Sequence, residues 1–269
     1  MTTLTANSGV ELRRASLPSG HEIEYLEAGT GDPLVFFHGA GGVDRKARFI
    51  PDLGRTFRVL APARPGFDGS TGETANSRDE AEVMAAFIRQ VAGGPAHLVA
   101  ESAGGAAGAW LAVLYPDLVK TLVLVAPGAF APHRAPAAGS APPSPQELER
   151  RLFGEHPARV APEDDADRER RRRNASANAA RLRPADGNRE LLERLGEIQA
   201  PTLVLWGSAD EMIPAEAGTP FMQRVPNVRR VFVYGGAHSL PVAACDRFVK
   251  LTTEFVERGE AFIVNNPTL

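Results

Sequence analysis

The sequence predicts an α/β fold built on a mostly parallel sheet. Short, continuous apolar runs recur along the chain, with the length and composition of strands buried on both faces. Helical segments alternate with those runs, as a layered α/β domain requires. Gly or Pro closes most of the runs, where a strand has to stop.

Taken in order, Glu11–Leu17 and Glu22–Ala28 alternate apolar with polar residues around Gly20 and read as an antiparallel hairpin. Pro33–Phe37 is the first continuous apolar strand and stops at His38-Gly39. A helix is expected around Arg45–Leu53, followed by a strand at Phe57–Ala61. Arg78–Val91 sets Ala81, Met84, Ala85, Ile88 and Val91 at helical spacing. Ala96–Ala100 is a strand, Ala103–Tyr115 a helix rich in small residues that Pro116 ends, and Val119–Ala126 a strand that Pro127-Gly128 ends. Pro201–Trp206 and Arg229–Tyr234 are the last two strands. Leu240–Arg258 reads as one closing helix, with Pro241 tolerated in its first turn.

Between Ala129 and Glu197 the rhythm breaks. Ala129–Pro145 is rich in Pro and Ala and reads as irregular, Gln146–Phe153 and Arg168–Arg183 read as helices, and no strand-like run occurs. The expected organisation is a core of residues 1–128 and 198–269, with 129–197 inserted as a helical cap over the carboxyl ends of the strands.

The 269 residues suffice for one domain with a sizeable core. A formal charge of −3 supplies no global field toward nucleic acid or an anionic membrane. No apolar run approaches the roughly 18–20 residues that span a bilayer. Met1–Val10 is polar and lacks the pattern of a secretion signal. The one cysteine, Cys245, has no internal disulfide partner. A cytoplasmic protein is expected, acting on a small molecule with an apolar part and not on nucleic acid or membrane. The oligomeric state is open. The basic run Arg168–Arg173 is interrupted and flanked by Glu163, Asp164, Asp165, Asp167 and Glu169 and has no interleaved aromatics. It reads as a solvated helix with local ion pairs. His133 and His156 in the same stretch read as surface residues. No His, Cys and carboxylate cluster has metal spacing, and neither a metal nor an organic cofactor is expected.

Three loops at the carboxyl edge of the sheet carry the residues that could do chemistry. Ser102 sits in Ala100-Glu101-Ser102-Ala103-Gly104, between a strand and a helix. Such a turn needs small residues two places either side of its tip, and it presents the tip hydroxyl outward from a strained backbone. A hydroxyl is a weak nucleophile and needs a base. His238, in Gly235-Gly236-Ala237-His238-Ser239 after the last strand, is the candidate among six histidines. A carboxylate must orient the imidazole and stabilise its cation. Asp210 follows the Pro201–Trp206 strand; Glu211 is adjacent, and the end of Val119–Ala126 offers no acid. An oxyanion needs two preorganised N–H donors. Ala103 N–H and Ala40 N–H, in His38-Gly39-Ala40-Gly41-Gly42, are the candidates. Gly39, Gly41 and Gly42 would let substrate approach the backbone. His38 reads as a residue that bonds its own loop.

On these motifs, together with Arg64-Pro65-Gly66-Phe67-Asp68-Gly69-Ser70 and Gly207-Ser208-Ala209-Asp210, the chain resembles the α/β-hydrolase family over nearly its whole length. The resemblance implies an eight-stranded, mostly parallel sheet with helices on both faces and a small helical cap. It gives Ser102, Asp210 and His238 the roles of a catalytic triad, in the chain order Ser, Asp, His that this family uses. The expected activity is hydrolysis of a small ester or lactone through an acyl-enzyme. The resemblance also admits carbon–carbon hydrolysis of ring-cleavage products, cofactor-free perhydrolysis, or a ligand receptor that keeps the triad. Members with an Asp nucleophile, the haloalkane dehalogenases and epoxide hydrolases, are disfavoured by Ser102. Tyr25, Tyr115 and Tyr234 also all fall outside the presumed cap. Two departures stand out: Ala100 replaces the usual Gly, and Glu101 sets a carboxyl beside the nucleophile.

Overall fold

The computed structural model describes residues 2–3, 9–131, 143–177, 179, 188–259 and 261. Eight strands form the body of one sheet: β1 (Glu11–Ser16), β2 (Glu22–Ala28), β3 (Asp32–Phe37), β4 (Phe57–Pro62), β5 (Ala96–Glu101), β6 (Val119–Val125), β7 (Thr202–Gly207) and β8 (Val228–Val233). Their order is β1-β2-β4-β3-β5-β6-β7-β8, and Thr2–Thr3 adds a two-residue pairing on β1. β1 and β2 pair antiparallel, as does β2 with β4. Every pair from β4 onward is parallel. The mostly parallel sheet is the one the apolar runs predict.

Helices follow the strands: α1 (Phe49–Leu53), α2 (Ser77–Phe87), α3 (Gly104–Leu114), α4 (Pro145–Phe153), α5 (Asp165–Ala177), α6 (Arg189–Arg194), α7 (Thr219–Arg224), α8 (Leu240–Ala243) and α9 (Cys245–Arg258). Because strand side chains alternate between faces, each central strand feeds two cores. Val35, Phe37, Leu98, Ala100, Leu122, Leu124, Val204 and Trp206 pack on one face with α2 and α3. Leu34, Phe36, Val99, Val123, Val125, Leu203 and Leu205 pack on the other with α1 and α9. There Phe49 and Phe248 meet edge to face with centroids 5.7 Å apart.

Three expectations need correction. The helix expected from Arg45 starts only at Phe49, because the chain before it pairs with 158–160: Arg48 N–H donates to Ala158 O at 3.1 Å and Val160 N–H to Lys46 O at 2.8 Å. The closing helix is two helices, broken at Ala244, whose φ of −142° and ψ of 46° are not helical. The helix expected at Arg168–Arg183 runs from Asp165 to Ala177; Arg181 and Arg183 lie outside the described residues, as does His133. His156 is exposed.

Cys245 opens α9 and is buried, with its Sγ 3.9 Å from Asp52 Oδ2 of α1. Burial pushes its thiol up to about 11, against a partial pull from Arg48. Reactivity follows the thiolate. Iodoacetamide at neutral pH is therefore expected to leave Cys245 unmodified in the native protein and to alkylate it after denaturation, as mass spectrometry of the intact chain reads directly.

Candidate active site

Parallel strands end on one edge of a sheet, so the loops after β3, β5, β7 and β8 are neighbours although far apart in sequence. The turn after β5 is tight. Ser102 has φ of 51°, a left-handed conformation that costs a non-glycine residue roughly 1–2 kcal/mol. Its backbone is held on both sides: Ser102 N–H donates to Val125 O at 2.9 Å, and Ser102 O accepts from Gly105 N–H at 2.9 Å and Gly128 N–H at 2.8 Å. A Cβ on Gly104 would stand 2.7 Å from His38 O, and one on Gly105 2.6 Å from Pro127 Cβ. The replacement of the usual glycine by Ala100 has a local explanation. Its methyl faces Gly108 on α3, where an added Cβ would come within 2.5 Å of it. The missing side chain at 108 makes the room.

The three residues singled out from the sequence meet. Ser102 Oγ lies 2.9 Å from His238 Nε2, and His238 Nδ1 lies 2.8 Å from Asp210 Oδ2. This pattern has the Nδ1–H tautomer donating to Asp210 while Nε2 accepts from the Ser102 hydroxyl. Asp210 is itself oriented, since its Oδ1 accepts from Met212 N–H at 2.8 Å and Ile213 N–H at 3.0 Å. Glu211, the alternative acid, turns away and pairs with Arg150 of α4 at 2.9 Å. The His238 backbone is tied to α4 as well: its N–H donates to Arg151 O at 3.3 Å and Ser239 N–H to Leu152 O at 2.8 Å.

The loop after β3 lies against this group. A Cβ on Gly39 would stand 3.2 Å from Ser102 Cβ and 3.7 Å from its Oγ. His38 bonds its own loop: Nδ1–H donates to Gly39 O at 2.7 Å, and Nε2 accepts Arg64 N–H at 3.0 Å. No acceptor among the described residues takes the Ala40 or Ala103 N–H. The space beside Gly41 and Gly42 is taken by α5. A Cβ on Gly41 would meet the Arg171 side chain at 2.5 Å, and one on Gly42 the Asn174 amide at 2.2 Å.

Glu101 carries a buried carboxyl between the two loops. Burial pushes it above the ordinary carboxylate range, partly offset by a hydrogen bond from Ser239 and by His238. The Gly39 backbone pulls the same way. Its neighbours Gly39 on one side and His238 and Ser239 on the other place it between those two loops.

A cavity of about 1200 Å³ opens above Ser102. Phe36, Phe49, Leu148, Leu152, Phe153 and Val242 give it an apolar wall, and Gly39, Ala40, Gly41 and Gly42 line it near Ser102. Arg170 and Arg171 also line it, but each is ion-paired, with Asp68 at 2.6 Å and with Glu163 respectively. Burial pushes the Asp68 carboxyl up, yet Arg170, His38 and Asn174 outweigh it and hold Asp68 below the usual range. The basic run thus divides. Arg168 and Arg172 make the expected local pairs with Asp165 and Glu169, whereas Arg170 and Arg171 point inward. Sequence reasoning missed Asp68, Arg170 and Asn174. The available signal was a polar stripe at helical spacing, Asp167-Arg170-Arg171-Asn174, which faces inward on α5. Among the described residues no cluster of three or more His, Cys, Asp or Glu could hold a metal ion, and no helix is long and apolar enough to cross a membrane.

Known proteins carry the same frame. The chain is 29% identical to a 2-hydroxy-6-oxo-6-phenylhexa-2,4-dienoate hydrolase of Comamonas testosteroni, over 96% of this chain and 100% of that protein. It is 27% identical to the protein of the same name from Burkholderia cepacia, over 90% and 93%. Among solved structures, a bacterial membrane phospholipase A superposes with a TM-score of 0.76 at 24% identity, covering 93% of this chain and 86% of that one. The family model described as the alpha/beta hydrolase family matches residues 34–251. The chain is a hydrolase and belongs to the alpha/beta hydrolase family.

Proposed function

We propose that the protein is a serine hydrolase that cleaves a small ester or lactone through an acyl-enzyme on Ser102. The observation that carries this reading is the unbroken hydrogen-bonded line from Ser102 Oγ through His238 to Asp210 Oδ2. In the reaction, Ser102 Oγ attacks the carbonyl carbon and His238 Nε2 takes the hydroxyl proton. Asp210 stabilises the imidazolium. Ala40 N–H and Ala103 N–H receive the oxyanion. As the carbon–oxygen bond to the leaving group breaks, His238 returns the proton to the departing alkoxide. His238 then deprotonates a water, which attacks the acyl carbon; as the bond to Ser102 Oγ breaks, His238 returns that proton to Oγ, releasing the acid and free Ser102. Every proton moves between this chain's side chains, substrate and water. Residues 129–197 serve as the cap, and 1–128 with 198–269 as the core. The contribution of Leu148, Leu152, Phe153 and Arg171 to the cavity wall supports that division.

A second reading, carbon–carbon bond hydrolysis, is favoured by the names of the two curated relatives, whose substrates are dienoates. Such a substrate brings a carboxylate that asks for a free cation. Among the described residues, Arg170 and Arg171 in the wall are paired with Asp68 and Glu163, and the third wall arginine, Arg172, pairs with the exposed Glu169; this pairing supports a neutral substrate instead. A direct comparison decides. The purified protein is given p-nitrophenyl esters of graded acyl length and, separately, 2-hydroxy-6-oxo-6-phenylhexa-2,4-dienoate. The ester reading expects the larger kcat/KM on a short or medium ester; a larger value on the dienoate overturns it in favour of the second. A fluorophosphonate that leaves Ser102 unlabelled overturns both.

A further inference from the structure

We propose that Asn174, on α5, is a positioning residue for the oxyanion loop, so that the seating of α5 on the core sets the aim of the Ala40 N–H. The inference rests on the serine-hydrolase reading above.

The loop 39–43 is rich in glycine, and Gly42 has φ of +89°. Such a loop has little preference of its own and needs external pins. In a trans peptide the C=O and the following N–H point in opposite directions. The direction of Ala40 N–H is therefore the reverse of the direction of Gly39 C=O. The core pins the near end: His38 and Arg64 both donate to Gly39 O, at 2.7 and 3.4 Å. Gly41 O accepts from Asn174 Nδ2 at 3.0 Å, and the Gly42 N–H of the same peptide, which points the opposite way, donates to Gly39 O at 3.4 Å.

Asn174 is the buried residue of α5. Its amide is used on both sides. Nδ2 also donates to Asp68 Oδ1 at 2.8 Å, and Oδ1 accepts Asp68 N–H at 3.1 Å. Asp68, a non-glycine at φ 49°, accepts Val43 N–H on Oδ2 at 3.2 Å. Arg170 closes the ring, donating to Asp68 Oδ1 at 2.6 Å and to Val43 O at 3.1 Å. The far end of the loop, Gly41 to Val43, is thus held by this clasp, to which Asp68 contributes from the core and Arg170 and Asn174 from α5. The near end is held by residues of the core. Without the Asn174 amide, His38 and Arg64 still donate to Gly39 O, but the Gly41–Gly42 peptide is free to turn, Gly39 O loses the Gly42 N–H, and the Gly39 carbonyl, with the Ala40 N–H opposite it, loses one of the three contacts that fix its direction. A donor aimed before the reaction is what makes an oxyanion site effective.

The test compares wild type with Asn174→Ala and Asn174→Asp; the aspartate keeps the shape but cannot donate to Gly41 O when ionised. Ester kinetics, fluorophosphonate labelling, thermal midpoint and affinity for a trifluoromethyl ketone are measured well below each midpoint. The ketone's adduct with Ser102 carries an oxyanion; the matching alcohol, which forms no adduct, reports ground-state binding. Removing an oxyanion donor outright costs about 10²–10³ in kcat, and a misaimed one should cost less. We expect kcat to fall about tenfold or more, ketone affinity to fall by a similar factor, and KM and alcohol affinity to change less than about threefold. Should kcat and ketone affinity stay within about twofold in a folded variant, or should alcohol affinity fall and KM rise by the same factor as ketone affinity falls, the inference is overturned. If Asn174→Ala does not fold, Asn174→Asp carries the test. A wild-type protein that neither labels nor turns over esters rejects the underlying reading instead, which keeps the two failures distinct.

Discussion

Ser102→Ala is expected to lower ester turnover by at least ~10³-fold, the scale seen when a triad member is removed. The loss should fall on kcat, with KM little changed. The physical reason is local. The hydroxyl is the only group removed, and the backbone that places it is held by a hydrogen bond to Val125 O and by those from Gly105 and Gly128 N–H, all of which alanine retains. The thermal midpoint should therefore stay close to that of wild type. Asp210→Asn should act in the same direction, because an amide can donate to Nδ1 and favour the wrong imidazole tautomer. Its two bonds from Met212 and Ile213 keep the loop in place. Measuring kcat, KM and midpoint on the same preparations checks both. Full activity in Ser102→Ala would remove Ser102 from the mechanism.

The second large effect is on stability. Arg64 and Glu80 form an ion pair in which the side chains are 0% and 1% exposed. Taking both charges out of water is costly, and the pair is tolerable only because each neutralises the other. Arg64 also lies over the Phe67 ring at 4.8 Å and reaches Gly39 O. Arg64→Met removes the cation and leaves the Glu80 carboxylate buried without its countercharge. The expected cost is about 3–5 kcal/mol, a large share of the roughly 5–15 kcal/mol that a domain has. Adding Glu80→Leu to Arg64→Met should recover most of it, because no buried charge is then stranded. Urea denaturation reads both: the midpoint should drop in the single variant and return in the double, with similar slopes. A single variant as stable as wild type would show that Glu80 is readily neutralised or rehydrated in place.

Arg64 also links stability to the site. Its guanidinium and its backbone N–H serve Glu80, Gly39 O and His38 Nε2. Activity lost in Arg64→Met therefore includes the loosening of the Gly39 carbonyl. The double variant separates the two effects, since it restores the fold without restoring the donor to Gly39.

Much of the candidate site was legible in the sequence for a simple reason. In a parallel sheet the position of a loop follows from which end of which strand it leaves, and strand ends are marked by neighbouring residues. His38-Gly39 after β3, Ser102 after β5, Asp210 after β7 and His238 after β8 could each be placed on one edge without knowing any contact between them. The apolar runs that mark the strands are the residues that pack in the two cores. What failed was local detail set by distant partners. The segment before Phe49 pairs with 158–160 instead of entering a helix, and the closing helix breaks at Ala244.

The sequence by itself determined the alternation of strands and helices, the edge on which the reactive residues gather and the order in which they come. Those follow from hydrophobic period and turn chemistry, which are properties of short stretches. Only the tertiary structure decided that Asp210 and not Glu211 meets His238, that Ala100 is accommodated by a missing side chain at Gly108, and that α5 turns a polar stripe inward. In each case the deciding contact joins residues of different elements, which local sequence period does not connect. A polar residue is buried only when a partner satisfies it, and the partners Asp68 and Asn174 stand far apart in sequence, where no periodicity connects them.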